Sequence, residues 1–269
     1  GVEMLPRILP LEDEEVSKVV ERAFRRRKVK MLTGTRVEGL DVADKKVEVR
    51  VTNEDGEQVL EAERVLIAIG VQPNSANLGL EELGIQTEKG YITIDDQMQT
   101  NVPGIYAIGD VTGKLALAHV AQAQGIVAME AIAQAETGAL HGHALDYEGM
   151  PRCTYCQPQV ASLGITEEEA RARGHQIEVG RFPFLANGKA LGLGEREGLA
   201  KIVADSVSGE ILGAHLVGPE VTELLPELVL ARNWELTPDE VAKSVHAHPT
   251  LSEAIMEAAH DVFGNAIHA

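Results

Sequence analysis

The sequence lacks any apolar run that approaches the roughly 20 residues needed to cross a bilayer. Its first residues also lack the basic-then-apolar pattern of a secretory signal peptide. We therefore expect no membrane partner and a cytoplasmic location.

Basic residues are scarce: 24 Lys and Arg stand against 42 Asp and Glu, for a net charge of −18. This balance argues against nucleic acid as a partner. The one dense basic run, at residues 25–28, follows the acidic residues 12–15 on a segment with apolar residues at helical spacing. Acid at the start and base at the end match a helix dipole, so we predict a helix there. With 269 residues, 44% of them hydrophobic, the chain can form two domains with real cores.

Cysteine is also rare, and the sequence has only Cys153 and Cys156. In an extended strand, positions three apart lie about 10 Å from each other on opposite faces, beyond the roughly 7 Å limit for a disulfide. A metal site would need two further ligands, and only His141 and His143 are near in sequence. We predict structural thiols and no metal site.

A glycine-rich phosphate loop is missing as well. The run at residues 192–198 has its last glycine one position late for a dinucleotide-binding loop, and it leads into a predicted strand rather than a helix. We therefore predict no pyrophosphate cradle in this sequence.

The hydrophobic pattern up to about residue 145 predicts an α/β arrangement. Residues 46–51 alternate as a half-buried strand, 53–56 form a hairpin turn, and 63–69 return as a nearly all-apolar strand. Such a strand is typical of a parallel sheet covered on both faces. A second apolar strand at 104–110 precedes a long helix at 117–135.

The pattern changes at about residue 147, where short strands alternate with capped helices. This predicts an antiparallel sheet with helices on one face, so the fold class is α/β followed by α+β. The predicted elements are strands at 160–163, 200–204 and 211–217, helices capped at Thr166 and Thr237, and a helix at 221–232.

A Gly109-Asp110 pair ends the second apolar strand. A carboxylate there can accept a hydrogen bond from a ribose or sugar-alcohol hydroxyl, and glycine lets a ligand approach the backbone. The following helix directs its positive end at the same ligand, which favours an anion. Gly-Asp also ends many ordinary strands, and the residues alone leave both interpretations open.

The segment 246–253 places His248 directly before Pro249 and a predicted helix start at Thr250. Glu253 lies one turn inside and can fold back toward the imidazole, as in a histidine base held by an acid. Thr250 and Glu253 also have the spacing of a capping box, in which His248 would be an ordinary loop histidine. The spacing leaves both interpretations open.

Glu3 lies where an apolar strand could end before a loop. In a dinucleotide-binding fold, a carboxylate there accepts hydrogen bonds from the adenosine ribose and repels a 2′-phosphate, which favours NAD over NADP.

Together these residues resemble the dihydrolipoamide dehydrogenase family of flavin-dependent pyridine nucleotide-disulfide oxidoreductases. Residues 100–110 resemble the family's second FAD motif, 117–119 resemble its flavin-side helix start, and 246–253 resemble its active-site signature. The resemblance extends over essentially the whole chain, as the C-terminal portion of such an enzyme.

The resemblance implies FAD and NAD as cofactors and oxidation of protein-bound dihydrolipoamide as the reaction. His248 would take the dithiol proton and Glu253 would hold the imidazole. The implied cofactor-binding residues are Asp110, Ala116, Leu117 and Ala118 for FAD, and Glu3, Val37 and Gly70 for NAD.

The resemblance also implies three domains: a remnant of a Rossmann-like NAD-binding domain at 1–71, a central FAD-contacting segment at 72–145, and an α+β dimerisation domain at 146–269. In the family the histidine acts on the partner subunit's disulfide, so a homodimer is implied. The other implied partners are the lipoyl domain and the subunit-binding domain of a 2-oxo acid dehydrogenase complex.

The sequence departs from the family pattern in two ways. It lacks the family's redox-active cysteine pair, because Cys153 and Cys156 have a different spacing, and it lacks both glycine-rich nucleotide loops. We therefore expect a fragment that is inactive alone. Two alternatives stay open: a glutathione-reductase-like enzyme, which shares the His-Pro-Thr-x-x-Glu pattern, and a non-catalytic dimerisation or docking module. Glu3 and the Ala118-His119 pair favour the lipoamide enzyme.

Overall fold

A computed structural model describes residues 1–138 and 144–268, so His141 and His143 lie outside the described residues. The chain divides into two compact units. Unit 1 combines residues 1–66 with 151–269, and unit 2 comprises residues 67–150. The first and last predicted domains thus contribute to one compact unit, and the division into three functional domains stays a prediction.

The strands of both units are β1 (Arg36–Val42), β2 (Val47–Asn53), β3 (Gly56–Ala62), β4 (Thr87–Glu88), β5 (Tyr91–Ile92), β6 (Arg152–Thr154), β7 (Gln159–Gly164), β8 (Ile177–Pro183), β9 (Leu199–Asp205) and β10 (Ile211–Gly218). The helices are α1 (Glu14–Arg26), α2 (Ala118–Thr137), α3 (Glu167–Ala172), α4 (Gly188–Leu193), α5 (Val221–Leu224), α6 (Pro226–Asn233), α7 (Pro238–Lys243) and α8 (Glu253–Asp261).

Unit 1 is organised around a five-stranded antiparallel sheet with the strand order β6-β7-β10-β9-β8. The predicted antiparallel sheet is therefore confirmed. Residues from α4 to α8 pack with one face in the largest core, whereas α1 and α3 contribute to smaller clusters with residues of the other face. The prediction of helices on one face is therefore wrong, because α3 buries Ala170 and α1 buries an apolar stripe on the second face.

Helix α8 lies directly against strand β8 because Gly180 has no side chain. A Cβ at Gly180 would lie 1.9 Å from the carbonyl oxygen of Ala258. This close approach fixes the height of α8 above the sheet, and α8 carries Glu253 as its first residue.

A separate antiparallel sheet, β1-β2-β3, lies in the first part of unit 1. The turn between β2 and β3 is tight: Asn53 pairs with Gly56, so the return strand occupies Gly56–Ala62. The predicted strand at 63–69 is therefore wrong. Leu66 and Ile69 are 90% and 93% exposed, and no described strand pairs with this segment to cover its apolar side chains.

Local capping signals identify several helices correctly. The capping boxes predicted at Thr166 and Thr237 are both present, and α1, which was predicted from its charge pattern, begins after Asp13. The predicted helix at 221–232 is divided into α5 and α6 at Pro226, which has no backbone N–H to continue the hydrogen bonding of α5.

Unit 2 has its core between the long helix α2 and the irregular chain before it. The predicted strand at 104–110 forms only an isolated bridge, between Gln99 and Tyr106, and it leads into a 3-10 turn at Asp110–Thr112. The core side chains are those of Leu80, Ile85, Ile92, Ile94, Met98, Ala107, Val127 and Ala128.

Within the described residues of both units, no helix combines the length and the apolar composition that a membrane crossing requires.

Candidate functional site

The loop before α8 brings His248 and Glu253 together. The Nδ1 atom of His248 lies 2.9 Å from Oε1 of Glu253, and the backbone N–H of Thr250 donates to Oε2 of the same carboxylate over 2.8 Å. The Glu253 carboxylate therefore contacts both the imidazole, as in a histidine base held by an acid, and the Thr250 N–H, as in a capping box; the sequence left these two contacts open as alternatives. Because Nδ1 is engaged, Nε2 is the ring nitrogen that can exchange a proton with a substrate.

The start of α8 differs from the prediction. The helix begins at Glu253 rather than Thr250. The hydroxyl of Thr250 donates to the carbonyl of Ala247 over 2.7 Å, so it does not cap the helix. The reciprocal capping box that the sequence offered for Thr250 and Glu253 is therefore incomplete: Oε2 of Glu253 accepts from the Thr250 N–H, and Oε1 contacts the imidazole.

The exposure and charge of the pair suit proton transfer. The His248 side chain is 76% exposed, whereas that of Glu253 is 17% exposed. Burial raises the pKa of Glu253, but the hydrogen bonds from the Thr250 amide and from His248 outweigh it, so the pKa lies below its usual value. Glu253 is therefore ionised at neutral pH and can stabilise a protonated His248.

His246 holds the same loop from inside, and the sequence reasoning did not identify this role. Its Nδ1 lies 2.8 Å from the carbonyl oxygen of Ser244, and its Nε2 lies 3.0 Å from a carboxylate oxygen of Glu227 on α6. The His246 side chain is nearly buried. Because Glu227 is 19 residues away, only the tertiary structure reveals this pair.

Asn187 is a second residue that the sequence reasoning missed. It precedes α4, is 3% exposed, and its side-chain amide contacts the backbone of Thr250 over 3.0 Å. An asparagine before Gly188 signals a helix cap, but the 63 residues between Asn187 and Thr250 hide the contact with the site.

In unit 2, Asp110 and Ala116 line one pocket of about 470 Å³. Gly109 lies just before Asp110 with φ at 77°, a conformation that favours glycine, and its N–H donates to Oε1 of the buried Gln124 over 2.6 Å. Gln124 thus fixes the Gly109-Asp110 turn to α2. The other residues of the pocket are Val71, Gln72, Pro73, Asn74, Tyr91, Val111 and Gly113.

Leu117 and Ala118 form the start of α2, directly after Ala116. Leu117 is the residue before the helix, and its side chain makes no capping hydrogen bond. The first amides of the 20-residue helix α2 are therefore not capped by that side chain, which suits a ligand oxygen at this end.

The three residues implied for NAD are placed as follows. In unit 1, Glu3 accepts a hydrogen bond from the Leu5 amide over 2.8 Å and lines an apolar pocket of about 390 Å³, whereas Val37 lies on β1 and does not line that pocket. Gly70 belongs to unit 2 and has φ at 116°. Their role in NAD binding stays a prediction.

Cys153 and Cys156 are free thiols. Cys153 lies on β6, and Cys156 follows the end of that strand, where its Sγ contacts the carbonyl oxygen of Pro158. Burial raises the pKa of both thiols, which makes them poor nucleophiles. Across the described part of the chain, no group of three or more His, Cys, Asp and Glu side chains is placed to hold a metal ion.

Two family models match the chain. The model for pyridine nucleotide-disulphide oxidoreductases matches residues 2–125, and the model for the dimerisation domain of the same family matches residues 150–259. The chain therefore belongs to the pyridine nucleotide-disulphide oxidoreductase family.

Its curated relatives carry a more specific name. The chain is 53% identical to dihydrolipoyl dehydrogenase from Mycobacterium leprae and 45% identical to that from Bacillus subtilis, over 99% of this chain and 56% of each relative. The chain thus spans just over half the length of these relatives.

Solved structures agree on the fold. The crystal structure of LpdA from Mycobacterium tuberculosis superposes with a TM-score of 0.86 at 30% identity, over 97% of this chain and 55% of that one. The Cu(II) complex of the HOCl-induced flavoprotein disulfide reductase RclA from Escherichia coli also has a TM-score of 0.86, at 25% identity, over 97% of this chain and 58% of that one.

Proposed function

We propose that this chain is part of a dihydrolipoyl dehydrogenase, which oxidises protein-bound dihydrolipoamide and transfers the electrons through FAD to NAD. The observation that carries the proposal is the exposed His248 held by an ionised Glu253, within the residues that the dimerisation-domain model matches. The names of the curated relatives support the choice of substrate.

His248 acts as the base for the dithiol. A thiol is a weak nucleophile until it loses its proton, and Nε2 of His248 accepts that proton as the thiolate attacks a disulfide. Glu253 keeps the hydrogen on Nδ1 and stabilises the imidazolium that forms. When the thiolate leaves again in the reverse direction, the same nitrogen returns the proton.

The pocket around Asp110 fits a flavin nucleotide in chemical terms. Asp110 offers a carboxylate for sugar-alcohol or ribose hydroxyls, Ala116 offers a small surface, and Leu117 and Ala118 offer backbone amides at the start of α2, where the Leu117 side chain makes no capping hydrogen bond. When bound, FAD supplies the electron transfer between the dithiol and NAD. Glu3, Val37 and Gly70 are the residues of this chain that we assign to NAD.

The proposal includes the assembly of the protein. We infer a homodimer through the dimerisation domain, and the lipoyl and subunit-binding domains of a 2-oxo acid dehydrogenase complex as partners. We further propose the functional division at 1–71, 72–145 and 146–269.

Turnover needs a redox-active disulfide, which the high-pKa thiols of Cys153 and Cys156 are poorly suited to provide.

The substrate is tested on the full-length protein that contains this chain. We expect NAD-dependent oxidation of dihydrolipoamide and little NADPH-dependent reduction of glutathione disulfide, since Glu3 disfavours a 2′-phosphate. Preferential reduction of glutathione disulfide would contradict the assignment, and the absence of both activities from flavin-loaded protein would favour a non-catalytic module.

A further inference from the structure

Asn187 uses both ends of its side-chain amide. Oδ1 accepts a hydrogen bond from the backbone N–H of Ala190 over 2.9 Å, which caps α4, and Nδ2 donates to the carbonyl oxygen of Thr250 over 3.0 Å. The orientation of the amide follows from its partners, because the N–H of Ala190 needs an acceptor and the carbonyl of Thr250 needs a donor.

Through this contact, Thr250 is held at both its N–H and its carbonyl. Its carbonyl accepts from Asn187, and its N–H donates to Oε2 of Glu253 over 2.8 Å. The other oxygen of Glu253 holds His248. Two hydrogen bonds on either side of the Thr250 Cα, together with the one between Glu253 and His248, therefore connect buried Asn187 to the exposed imidazole.

The backbone next to Asn187 also lies beside the imidazole itself. A Cβ built on Gly188 would lie 3.9 Å from Cε1 of His248, which is ordinary van der Waals contact. The start of α4 and the loop before α8 are thus adjacent at the site, and a hydrogen bond from the Asn187 side chain joins them.

We propose that Asn187 is a positioning residue for the His248–Glu253 pair, which acts by fixing the backbone on the carbonyl side of Thr250 and thereby the Thr250 N–H that holds the carboxylate. This inference rests on the proposed function of His248. The amide of asparagine supplies the acceptor for the helix and the donor to Thr250 from two separate atoms, whereas a Ser or Thr hydroxyl would have to supply both from one oxygen.

The substitution Asn187→Asp separates the two roles of the side chain. A carboxylate still accepts from Ala190 and caps α4, but it cannot donate to the carbonyl of Thr250 and repels it instead. In flavin-loaded full-length protein, we expect kcat for dihydrolipoamide oxidation to fall about 5- to 50-fold, the range for a slightly misplaced catalytic group. The KM for dihydrolipoamide should stay within about twofold, and NADH-to-ferricyanide transfer should not change.

Asn187→Ser, which also keeps a capping oxygen, should give the same pattern and replaces the first variant if that one does not fold.

The matched control is Thr166→Ala. Thr166 caps α3, which has six residues like α4, by accepting from the N–H of Glu169 over 3.1 Å. Loss of this cap should lower the melting temperature without changing the ratio of lipoamide turnover to dye reduction. His248→Gln, measured beside these variants, distinguishes failure of the proposed function of His248 from failure of the proposed role of Asn187. If His248→Gln loses lipoamide turnover while both Asn187 variants keep the wild-type ratio, the role of Asn187 is refuted; if His248→Gln retains turnover, the proposed function fails first.

Discussion

At the scale of single residues, Lys201 is the buried cation that pairs with the carboxylates at the start of α1. Its side chain is 2% exposed, and its Nζ lies 2.9 Å from Asp13, 2.7 Å from Glu15 and 2.9 Å from Glu167. Arg181, opposite Lys201 on β8, shares Glu15 and Glu167. A buried ammonium among several carboxylates is favourable only as long as each charge keeps its partner.

Removal of the Lys201 charge should therefore destabilise the chain strongly. We expect Lys201→Met to lower the free energy of unfolding by about 3–5 kcal/mol, because buried Asp13 loses its main cation. Urea unfolding followed by circular dichroism measures the change. Lys243→Met is the control, since Lys243 forms an exposed pair with Asp239 on α7, and it should leave the midpoint almost unchanged. Equal midpoints for both variants would show that the buried cluster adds no stability.

The sequence predicted residue contacts only where they are local. His248 and Glu253 are five residues apart, so their proximity could be anticipated from the proline and the helix start. Lys201 and Asp13 are 188 residues apart, and a single lysine in a strand gives no sign that it is buried. Asn187 and Thr250 were missed for the same reason.

At the scale of elements, the position of α8 depends on Gly180. A Cβ there would lie 1.9 Å from the carbonyl of Ala258 and 2.6 Å from the N–H of Val262, both backbone atoms that cannot rotate away. Helix α8 would have to move off β8, and it carries Glu253.

Gly180→Ala should consequently destabilise the chain by about 1–3 kcal/mol, the usual cost of overpacking a core. Gly192→Ala is the control. Gly192 lies inside α4, and a Cβ there meets nothing within 4 Å, so this variant should stabilise slightly, by up to about 1 kcal/mol. Thermal unfolding of the two variants should show shifts of opposite sign. A Gly180→Ala variant as stable as wild type would contradict the close packing of α8 on β8.

Helix caps could be predicted from the sequence, but the structure of the apolar segment at 63–69 could not. Thr166 and Thr237 form their capping boxes within four residues, so sequence spacing determines them. The run at 63–69 has the composition of a strand covered on both faces, but a strand also needs a neighbour to pair with, and its composition does not identify one. The same holds for 104–110, which forms an isolated bridge only.

At the scale of the whole molecule, the buried charges make stability depend on pH. Burial raises the pKa of Asp13, Glu15 and Glu167, but other contacts outweigh it. These are the charge interaction with His215 and the hydrogen bond from Lys201 for Asp13, the hydrogen bonds from Arg181 and Lys201 for Glu15, and those from Lys201 and Arg171 for Glu167. All three pKa values are lowered, that of Glu167 to about 2. Burial also lowers the pKa of His215, which lies opposite Lys201 on β10.

The lowered pKa values of the carboxylates and the lowered pKa of His215 both reduce the free energy of unfolding as the pH falls. Below a pH of about 6.5 the unfolded chain protonates histidine more readily than the folded chain protonates His215, and below about 4 it protonates carboxylates whose pKa values are lower in the folded chain. We therefore expect the free energy of unfolding to fall steadily as the pH decreases from 7 toward 3. The pKa values of Lys201 and Arg181 are raised, so their contribution is lost only above about pH 10.5. Urea titrations at one-unit intervals measure this, and constant stability between pH 7 and 4 would contradict it.

The overall organisation was predicted only in part. Strand and helix patterns identified the antiparallel sheet after residue 147, because each element carries its own periodicity. The pairing of residues 1–66 with 151–269 in one unit was not predicted, since it rests on contacts such as Lys201 with Asp13 that join distant parts of the sequence.

The central claim, that His248 is the base for the dithiol, is tested most directly by the ratio of two activities of the flavin-loaded full-length protein carrying His248→Gln. We predict that dihydrolipoamide oxidation falls by about two to four orders of magnitude, the contribution of a positioned proton acceptor, while NADH-to-dye transfer is largely retained. Glu253→Gln should cost less, because the amide keeps a hydrogen-bonding group near the ring but removes the charge. Normal lipoamide turnover by folded His248→Gln protein would contradict the account.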